Sequence, residues 1–195
     1  MEIVHYPHPA LRWKSSDVTR IDASLRETVG QMFELMYEAQ GIGLAANQVA
    51  LPLRLFIMNP TGDPNESESE FVFINPEITS RKGSVLGEEG CLSLPELYAE
   101  VRRADEITVE AYDLDGQGFE LKIDDLPSRV IQHESDHLDG VLFIDRISES
   151  AEKELAPKVG EFETRFRQLQ AAGEIPDDNR LRDELEAQVA ALTQG

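Results

Sequence analysis

Two histidines separated by four positions constrain this chain more than any other feature. His133 and His137 stand in the segment Gln-His-Glu-Ser-Asp-His, and Glu134 directly follows the first of them. On an α-helix, residues four apart share one face, so both imidazoles can bind the same ion. A glutamate beside such a pair can move protons on a metal-bound water, as in the H-E-x-x-H pattern. The segment therefore predicts a metal-binding helix instead of two ordinary core or surface histidines.

The third metal ligand decides the class of enzyme. The longer zinc-protease pattern requires another histidine at position 143, which is Phe143 here. Glu149 and Glu152 are available, but their charge-rich surroundings are typical of a solvated helix. Cys91 is the only cysteine, and a lone cysteine is usually a small buried hydrophobe. We predict a short irregular segment over residues 88–95 around a flexible glycine, which suits a site and favours Cys91.

Small residues recur at positions 41–46 ahead of the carboxamides Asn47 and Gln48, and the Gln48 side chain is the candidate for a functional role. The simplest interpretation is a helix stop at Gly41 followed by a tight loop. The functional interpretation is close backbone approach to a substrate, with the Gln48 amide directed at a carbonyl oxygen. Taken alone, this pattern does not choose between the two.

Together these segments resemble the peptide deformylase family, whose motifs have the forms G-x-G-x-A-A-x-Q, E-G-C-L-S and Q-H-E-x-D-H in that order. All three are complete here, and the resemblance extends from Tyr6 to about Arg146. It implies an enzyme that removes the N-formyl group from the N-terminal methionine of new polypeptides and releases formate. It also implies that Cys91, His133 and His137 bind one divalent metal. Iron(II) is usual in that family, although such ligands also suit zinc, nickel or cobalt.

The resemblance further implies how the reaction proceeds. A metal-bound water attacks the formyl carbon while Glu134 acts as general base and then as general acid. The oxyanion is stabilised by the metal, the Gln48 side-chain amide and the Leu92 backbone N–H. The loops that carry Gly43 and Leu92 are expected to leave no space for the extra methyl group of an acetylated substrate.

Further residues are expected to contact substrate. Leu126 and Val130 precede His133 by seven and three positions on one helix face, and with Ile42 they are expected to line a pocket for the methionine side chain. Arg129 shares that face, and its stem is expected to cover the pocket while its charge reaches solvent. A purely structural role for all four stays open.

Three residues are assigned by resemblance alone. Glu89 and Arg103 occupy positions that resemble an ion pair supporting the cysteine loop, and we expect Glu89 also at the substrate-binding surface. Tyr98 occupies a variable position that is expected to contact the peptide backbone.

The expected fold is α+β, with mostly antiparallel sheets packed around the central helix that carries the H-E-x-x-H motif, plus C-terminal helices. Periodicity predicts a helix over about 24–40, strands over 53–58 and 71–74, a hairpin over 107–123 and a helix after Pro127. Residues 1–147 are expected to form the catalytic domain. Residues 148–195 are expected to form an acidic helical extension, with Pro157 near a helix start, that packs on the domain or on a partner.

The charge balance limits the partners. With 38 acidic and 18 basic residues the formal net charge is −20, which disfavours nonspecific binding to nucleic acid or to anionic membranes. Some relatives dock on ribosomes through a basic terminal helix, and the acidic extension argues against that route here. The resemblance implies formyl-methionyl nascent peptides as partners. The apolar faces of the terminal helices are expected to pack on the domain or on a second copy of the chain.

The expected location is the cytoplasm, because one cysteine permits no intramolecular disulfide and the first residues lack a secretory signal pattern. No apolar stretch approaches the ~20 residues of a membrane span. Two other functions stay open at this point. One is a zinc endopeptidase, for which Cys91 would be incidental, and the other is an inactive relative that binds nascent chains.

Overall fold

The computed structural model describes residues 1–193, so the last two residues of the predicted extension lie outside it. The described chain is α+β, as expected. Its helices are α1 (Ala23–Glu38), α2 (Asp125–Leu138), α3 (Glu149–Ala172) and α4 (Asp178–Thr193). Its strands are β1 (Gly43–Ala45), β2 (Leu55–Met58), β3 (Phe71–Lys82), β4 (Val85–Cys91), β5 (Leu94–Arg103), β6 (Glu106–Tyr112) and β7 (Gly118–Ile123). Nowhere in this part of the chain is a helix long and apolar enough to cross a lipid bilayer.

The strands form two antiparallel sheets. Five of them pair in the order β1-β2-β3-β6-β7, while β4 and β5 pair only with each other and form a separate ribbon. The predicted hairpin is confirmed as β6 and β7, which face each other from Ile107 with Ile123 to Tyr112 with Gly118. The predicted strand over 71–74 is too short, because β3 continues to Lys82 through two irregularities in its pairing with β6.

Helix α1 begins where the sequence predicts but ends earlier. The Asp22 carboxylate accepts a hydrogen bond from the Leu25 N–H and so caps the first turn. The apolar residues at helical spacing are buried on one face. The predicted stop at Gly41 is wrong, because Gln40 adopts the left-handed conformation (φ 57°) after the last turn. A side chain at Gly41 would instead collide with Leu92, since its Cβ would lie 2.7 Å from the Leu92 Cδ1.

The predicted irregular segment around Cys91 is also wrong. Residues 88–91 belong to β4, and Cys91 is its last residue, paired with Leu94 across a turn formed by Leu92 and Ser93. A register shift between Gly90 and Cys91 interrupts the pairing at that point. The cysteine therefore stands at the irregular end of a regular ribbon, which fixes its position more firmly than a free loop would.

Helix α2 is packed against the five-stranded sheet. Val130, Ile131 and Leu138 lie in one buried cluster with Phe56 and Phe73 of the sheet. The helix begins two residues before Pro127, which stands in its first turn, where proline is tolerated because that N–H has no helical partner. The apolar face of α2 thus anchors it to the sheet and leaves its histidine-bearing face for other contacts.

The helical extension packs back on the rest of the chain. Ser148 caps α3, and Pro157 lies in the helix interior, so its predicted place near the helix start is wrong. Phe162 packs in a cluster that includes Leu97 of the ribbon. Phe166 is buried against the His8 ring at a centroid distance of 6.1 Å. These contacts tie the extension to the N-terminal segment and to the ribbon.

Phe56 supplies a test of the core that supports α2. Its ring stacks on Phe73 at 4.6 Å, and both side chains are fully buried. We expect Phe56→Ala to lower the free energy of unfolding by about 3–5 kcal/mol, because it opens a cavity beneath the helix. Phe71→Ala on the neighbouring strand is the matched control, since Phe71 is 37% exposed and its loss should cost less than half as much. Equal losses in urea unfolding would contradict this assignment of the core.

Candidate metal centre

Helix α2 presents three chemically active side chains on its polar face. His133 and His137 lie one turn apart, with their ring centroids separated by 4.9 Å, and Glu134 lies beside them. All three are buried, and His137 is fully excluded from solvent. The two imidazoles thus lie on one face of a helix, as the sequence predicts.

The ribbon brings the cysteine thiol to the two imidazoles. Cys91 Sγ lies 3.4 Å from His137 Nε2, which in turn lies 3.2 Å from His133 Nε2. Ligand atoms held at about 2.0–2.3 Å by one tetrahedral ion would lie roughly 3.3–3.6 Å apart. The three ligand atoms lie within 4.8 Å of one another, so the group fits one metal ion, whereas Glu149 and Glu152 start helix α3 and are not in it. Thiolate and imidazole are ligands for borderline ions such as iron(II) and zinc(II).

A buried carboxylate orients His133. Glu89 Oε2 lies 3.0 Å from His133 Nδ1, and because an ionised carboxylate only accepts, Nδ1 carries the proton and donates. This contact turns Nε2 toward Cys91 and His137, and Nε2 is the nitrogen that would bind a metal. Arg103 donates to both oxygens of Glu89 at 2.8 Å, so the predicted ion pair is present. Burial opposes ionisation of Glu89, but Arg103 and His133 outweigh it and hold the pKa of Glu89 far below its usual range.

The protonation of the group reflects its crowding. Burial disfavours charge on His133, but hydrogen bonds with Cys91 and Glu89 prevail and raise its pKa to about 10. Burial, followed by the nearby charge of His133, lowers the pKa of His137 well below its usual value. Burial raises the pKa of Glu134 to about 7, although the charge of His133 opposes that rise. The neighbouring groups therefore differ in proton affinity: the pKa values of His133 and Glu134 are raised, whereas that of His137 is lowered.

Gln48 reaches the same place from the segment after β1. Its Oε1 accepts from the Ala45 N–H at 2.8 Å, which turns the amide nitrogen toward the ribbon. That nitrogen lies 3.5 Å from Cys91 Sγ and 3.3 Å from Ser93 Oγ. The carboxamide is 2% exposed, so its donor is held in a fixed orientation beside the thiol.

Gly43 explains why small residues are required before Gln48. A Cβ at Gly43 would lie 2.5 Å from Glu134 Oε1, closer than real Cβ contacts, and 3.0 Å from Val130 Cγ1, so the Glu134 carboxyl would have to move. The backbone of β1 therefore passes directly beside the glutamate. Of the two interpretations of this segment, close backbone approach describes the structure.

A cavity of about 640 Å³ opens beside these groups. The sequence-predicted residues that line it are Ile42, Gly43, Gln48, Glu89, Cys91, Leu92, Tyr98, Leu126, Arg129, Val130, His133 and Glu134. Tyr98 is 60% exposed, and its ring occupies space that a side chain at Gly90 would need. His137 does not line the cavity, since it lies behind the other ligands. The predicted site residues thus share one cavity and its inner wall.

Arg129 differs from its prediction. Its charge does not reach solvent, because the side chain is 12% exposed and its guanidinium binds Glu89 at 2.8 Å. The same group donates to carbonyl oxygens of β4 and β5. Side-chain length allows either arrangement, so the sequence did not distinguish them.

Sequence reasoning did not identify His5 and Asn47, which also belong to this region. His5 lines the cavity from the N-terminal segment, and no local pattern distinguishes it from a surface histidine. Asn47 is fully buried and its amide donates to the His137 carbonyl oxygen, which links the segment after β1 to the end of α2. A polar carboxamide among small residues next to Gln48 was the available signal for Asn47.

The fold and site define a class, that of hydrolases with an H-E-x-x-H helix and a cysteine-histidine-histidine group that can hold a metal. The family model described as polypeptide deformylase matches residues 1–153. A peptide deformylase of Rhodopirellula baltica is 43% identical over 195 residues, covering all of this chain and 96% of the relative. A peptide deformylase of Acidobacterium capsulatum is 47% identical over 172 residues, covering 88% of this chain and 96% of the relative. The chain belongs to the peptide deformylase family.

Solved structures agree with this assignment. Peptide deformylase 1B of Arabidopsis thaliana, crystallised with an inhibitor, superposes with a TM-score of 0.83 at 39% identity, covering 90% of this chain and 96% of the other. The peptide deformylase of Plasmodium falciparum superposes with a TM-score of 0.82 at 37% identity, and the match covers 87% of this chain and 98% of the other. The chain thus belongs to a family of metal-dependent enzymes, and it acts on formyl-methionyl nascent peptides. The endopeptidase and the inactive binder receive no support from these comparisons.

Gly43 allows a test of this geometry. We expect Gly43→Ala to lower kcat/KM for formate release from a formyl-methionyl tripeptide by at least about 100-fold, because the new methyl group displaces the Glu134 carboxyl. Gly30→Ala in α1 is the control, since nothing lies within 4 Å of its added Cβ and activity should be unchanged. A Gly43→Ala variant with more than half of the original activity would contradict the close approach.

Proposed function

We propose that Cys91, His133 and His137 hold one divalent metal, iron(II) in the cell, and that this centre removes the formyl group from formyl-methionyl peptides. The observation that carries the proposal is the convergence of three ligand atoms: Cys91 Sγ lies 3.4 Å from His137 Nε2, which lies 3.2 Å from His133 Nε2. When bound, the metal would polarise the formyl group and lower the pKa of water toward ~7. Zinc, nickel and cobalt fit the same ligands.

Glu134 moves the protons. Its Oε2 is buried and has no hydrogen-bond partner among the described residues, so this oxygen is free to accept a proton from the attacking water. The pKa of about 7 lets the same carboxyl give that proton to the departing amine near neutral pH. The close backbone of Gly43 limits the positions that the carboxyl can take.

Gln48 and Leu92 stabilise the oxyanion. The Gln48 amide nitrogen is held beside Cys91 by the bond that its oxygen accepts from Ala45. Leu92 directly follows Cys91 in the turn, so its N–H is close to the thiol along the chain. Losing one donor to a developing oxyanion typically costs about 100- to 1000-fold in rate.

The apolar part of the cavity takes the methionine side chain. Ile42, Leu126 and Val130 supply its apolar wall, and Val130 is the most buried of the three. Tyr98 is exposed where it can contact the peptide backbone. Steric exclusion of one methyl group is worth only ~1–3 kcal/mol, so the close approach of Gly43 and Leu92 accounts for part of the preference for formyl over acetyl.

The remaining proposals concern the cell. We place the enzyme in the cytoplasm, where formylated nascent chains are made and a single free thiol stays reduced. Because the helical extension is acidic and already packs on the chain, docking on the ribosome by a basic terminal helix is not part of the proposal.

The assay that tests the function is formate release from a formyl-methionyl tripeptide, measured anaerobically with iron(II). We expect Glu134→Gln to lower kcat by about 100- to 10,000-fold, because the amide cannot accept the proton, while metal content is retained. Glu27→Gln on the exposed face of α1 is the matched control and should keep full activity. No formate from the unaltered chain with any of the four metals would overturn the proposal.

Metal removal tests the ligand assignment. The ligands come from segments 42 positions apart (133 − 91), so metal binding stabilises the folded chain. We expect chelation to lower Tm by about 5–10 °C, the effect of losing an ion present at roughly 100 times its dissociation constant. In Cys91→Ala, chelation should change Tm by much less. Equal shifts in both proteins would show that the cysteine is not a ligand.

A further inference from the structure

We propose that Arg129 is a positioning residue that fixes the ribbon carrying Cys91 relative to the helix carrying His133 and His137. The inference rests on the proposed metal centre and concerns its geometry. Arg129 lies on α2 one turn before His133, and its side chain extends to the ribbon of β4 and β5. It touches none of the proposed ligands, so any effect on the metal must pass through its partners.

The guanidinium makes four bonds across the boundary between the two elements. Nη1 donates to Glu89 Oε1 at 2.8 Å, to the Val101 carbonyl at 2.9 Å and to the Gly87 carbonyl at 3.3 Å. Nη2 donates to the Val85 carbonyl at 3.2 Å. Both strands of the ribbon are therefore attached to one side chain of α2. A planar group with several fixed donors suits this task better than an ammonium does.

Gly87 is the residue that makes room for this group. A Cβ at Gly87 would lie 2.8 Å from Arg129 Nη2 and 2.9 Å from its Cζ, distances that a real side chain does not reach. Gly87 has no positive φ to explain it, unlike the glycines of the tight turns. Its small size is explained by the guanidinium, and the two residues form one structural unit.

The ribbon needs such an attachment because its strand pairing is confined to its own two strands. An isolated two-stranded ribbon is marginally stable in water. Other polar connections to α2 are the Arg103 guanidinium, which links Glu89 to Asp136, and the contact of Glu89 with His133. Arg129 adds a further connection on the same carboxylate and extends it to the far end of β4.

Arg129 can influence metal binding through Glu89, which it contacts directly. Cys91 stands two residues after Glu89 on β4, and Glu89 also orients His133. If Arg129 is removed, Arg103 keeps the Glu89 charge compensated, so no buried charge is left alone. The ribbon then loses three carbonyl contacts, and the distance from the thiol to the imidazoles is less well defined. Loss of an outer partner of a metal ligand typically costs about 10- to 100-fold in metal affinity.

The experiment uses cobalt(II) as the probe in the full chain. Arg129→Met keeps the length of the side chain and removes the donors. We expect its cobalt dissociation constant, measured by competition with a chelator, to rise about 10- to 100-fold. We also expect an altered thiolate-to-cobalt absorption band. An affinity within twofold of the original with an unchanged band would overturn the inference.

Two further variants separate geometry from charge. Arg129→Lys retains the positive charge beside Glu89 but cannot bind the three carbonyl oxygens together, so its affinity should remain at least fivefold weaker than that of the original chain. Full recovery by lysine would overturn the positioning role. Gly87→Ala leaves Arg129 in the sequence but displaces its guanidinium, and we expect it to weaken cobalt binding as Arg129→Met does. This variant also decides the matter should Arg129→Met not fold.

Arg102→Met is the matched control, because Arg102 lies on the same ribbon, is exposed and contacts only Ser84 at 3.4 Å among the described bonds. It should bind cobalt as the original chain does. The failure of the inference is distinguishable from failure of the metal centre. An original chain without a thiolate-to-cobalt band would contradict the proposed centre, whereas a normal band unaffected by changes at Arg129 and Gly87 would contradict only the positioning role.

Discussion

The structure depends on one buried carboxylate, that of Glu89. It is 6% exposed and accepts hydrogen bonds from Arg103, Arg129 and His133. A buried charge is tolerated only when it is paired and hydrogen-bonded, and breaking such a pair typically costs roughly 3–5 kcal/mol. Arg103 pairs with Glu89 within the ribbon, while Arg129 and His133 bind the same carboxylate from α2, so this one group joins the ribbon to the helix. The metal ligands meet as a result.

Helix α2 has an apolar face that packs in the core and a polar face that carries the reactive side chains. Ile131 and Leu138 are fully buried in the core with the sheet, while His133, Glu134 and His137 turn toward the ribbon and β1. The apolar face supplies the free energy that holds the helix, and the polar face supplies the chemistry. Movement of the helix against the sheet would therefore disturb every distance in the site. A helix in the core holds catalytic groups more precisely than a surface loop would.

How much the sequence reveals depends on whether a signal is local. The spacing of His133 and His137 identifies the metal helix, and apolar periodicity identifies α1, because both follow from the geometry of one helix. The ribbon was missed because Leu92 and Ser93 form its turn without the Gly, Asn or Asp that usually marks one. The direction of Arg129 was missed because it depends on space left by Gly87, a residue 42 positions away (129 − 87) that acquires meaning only in the folded chain.

The site departs from the rule that buried polar groups are paired. Glu134 Oε2, His137 Nδ1 and Asn47 Oδ1 have no hydrogen-bond partner among the described residues. Native structures contain few such atoms, because each costs about 1–3 kcal/mol. Glu134 has a reason to be among them, since a carboxyl that exchanges protons with substrate cannot have both oxygens occupied by the protein. The rigid pairing at Glu89 and the unpaired oxygen of Glu134 are thus complementary: one carboxylate is fixed so that the other is free to react.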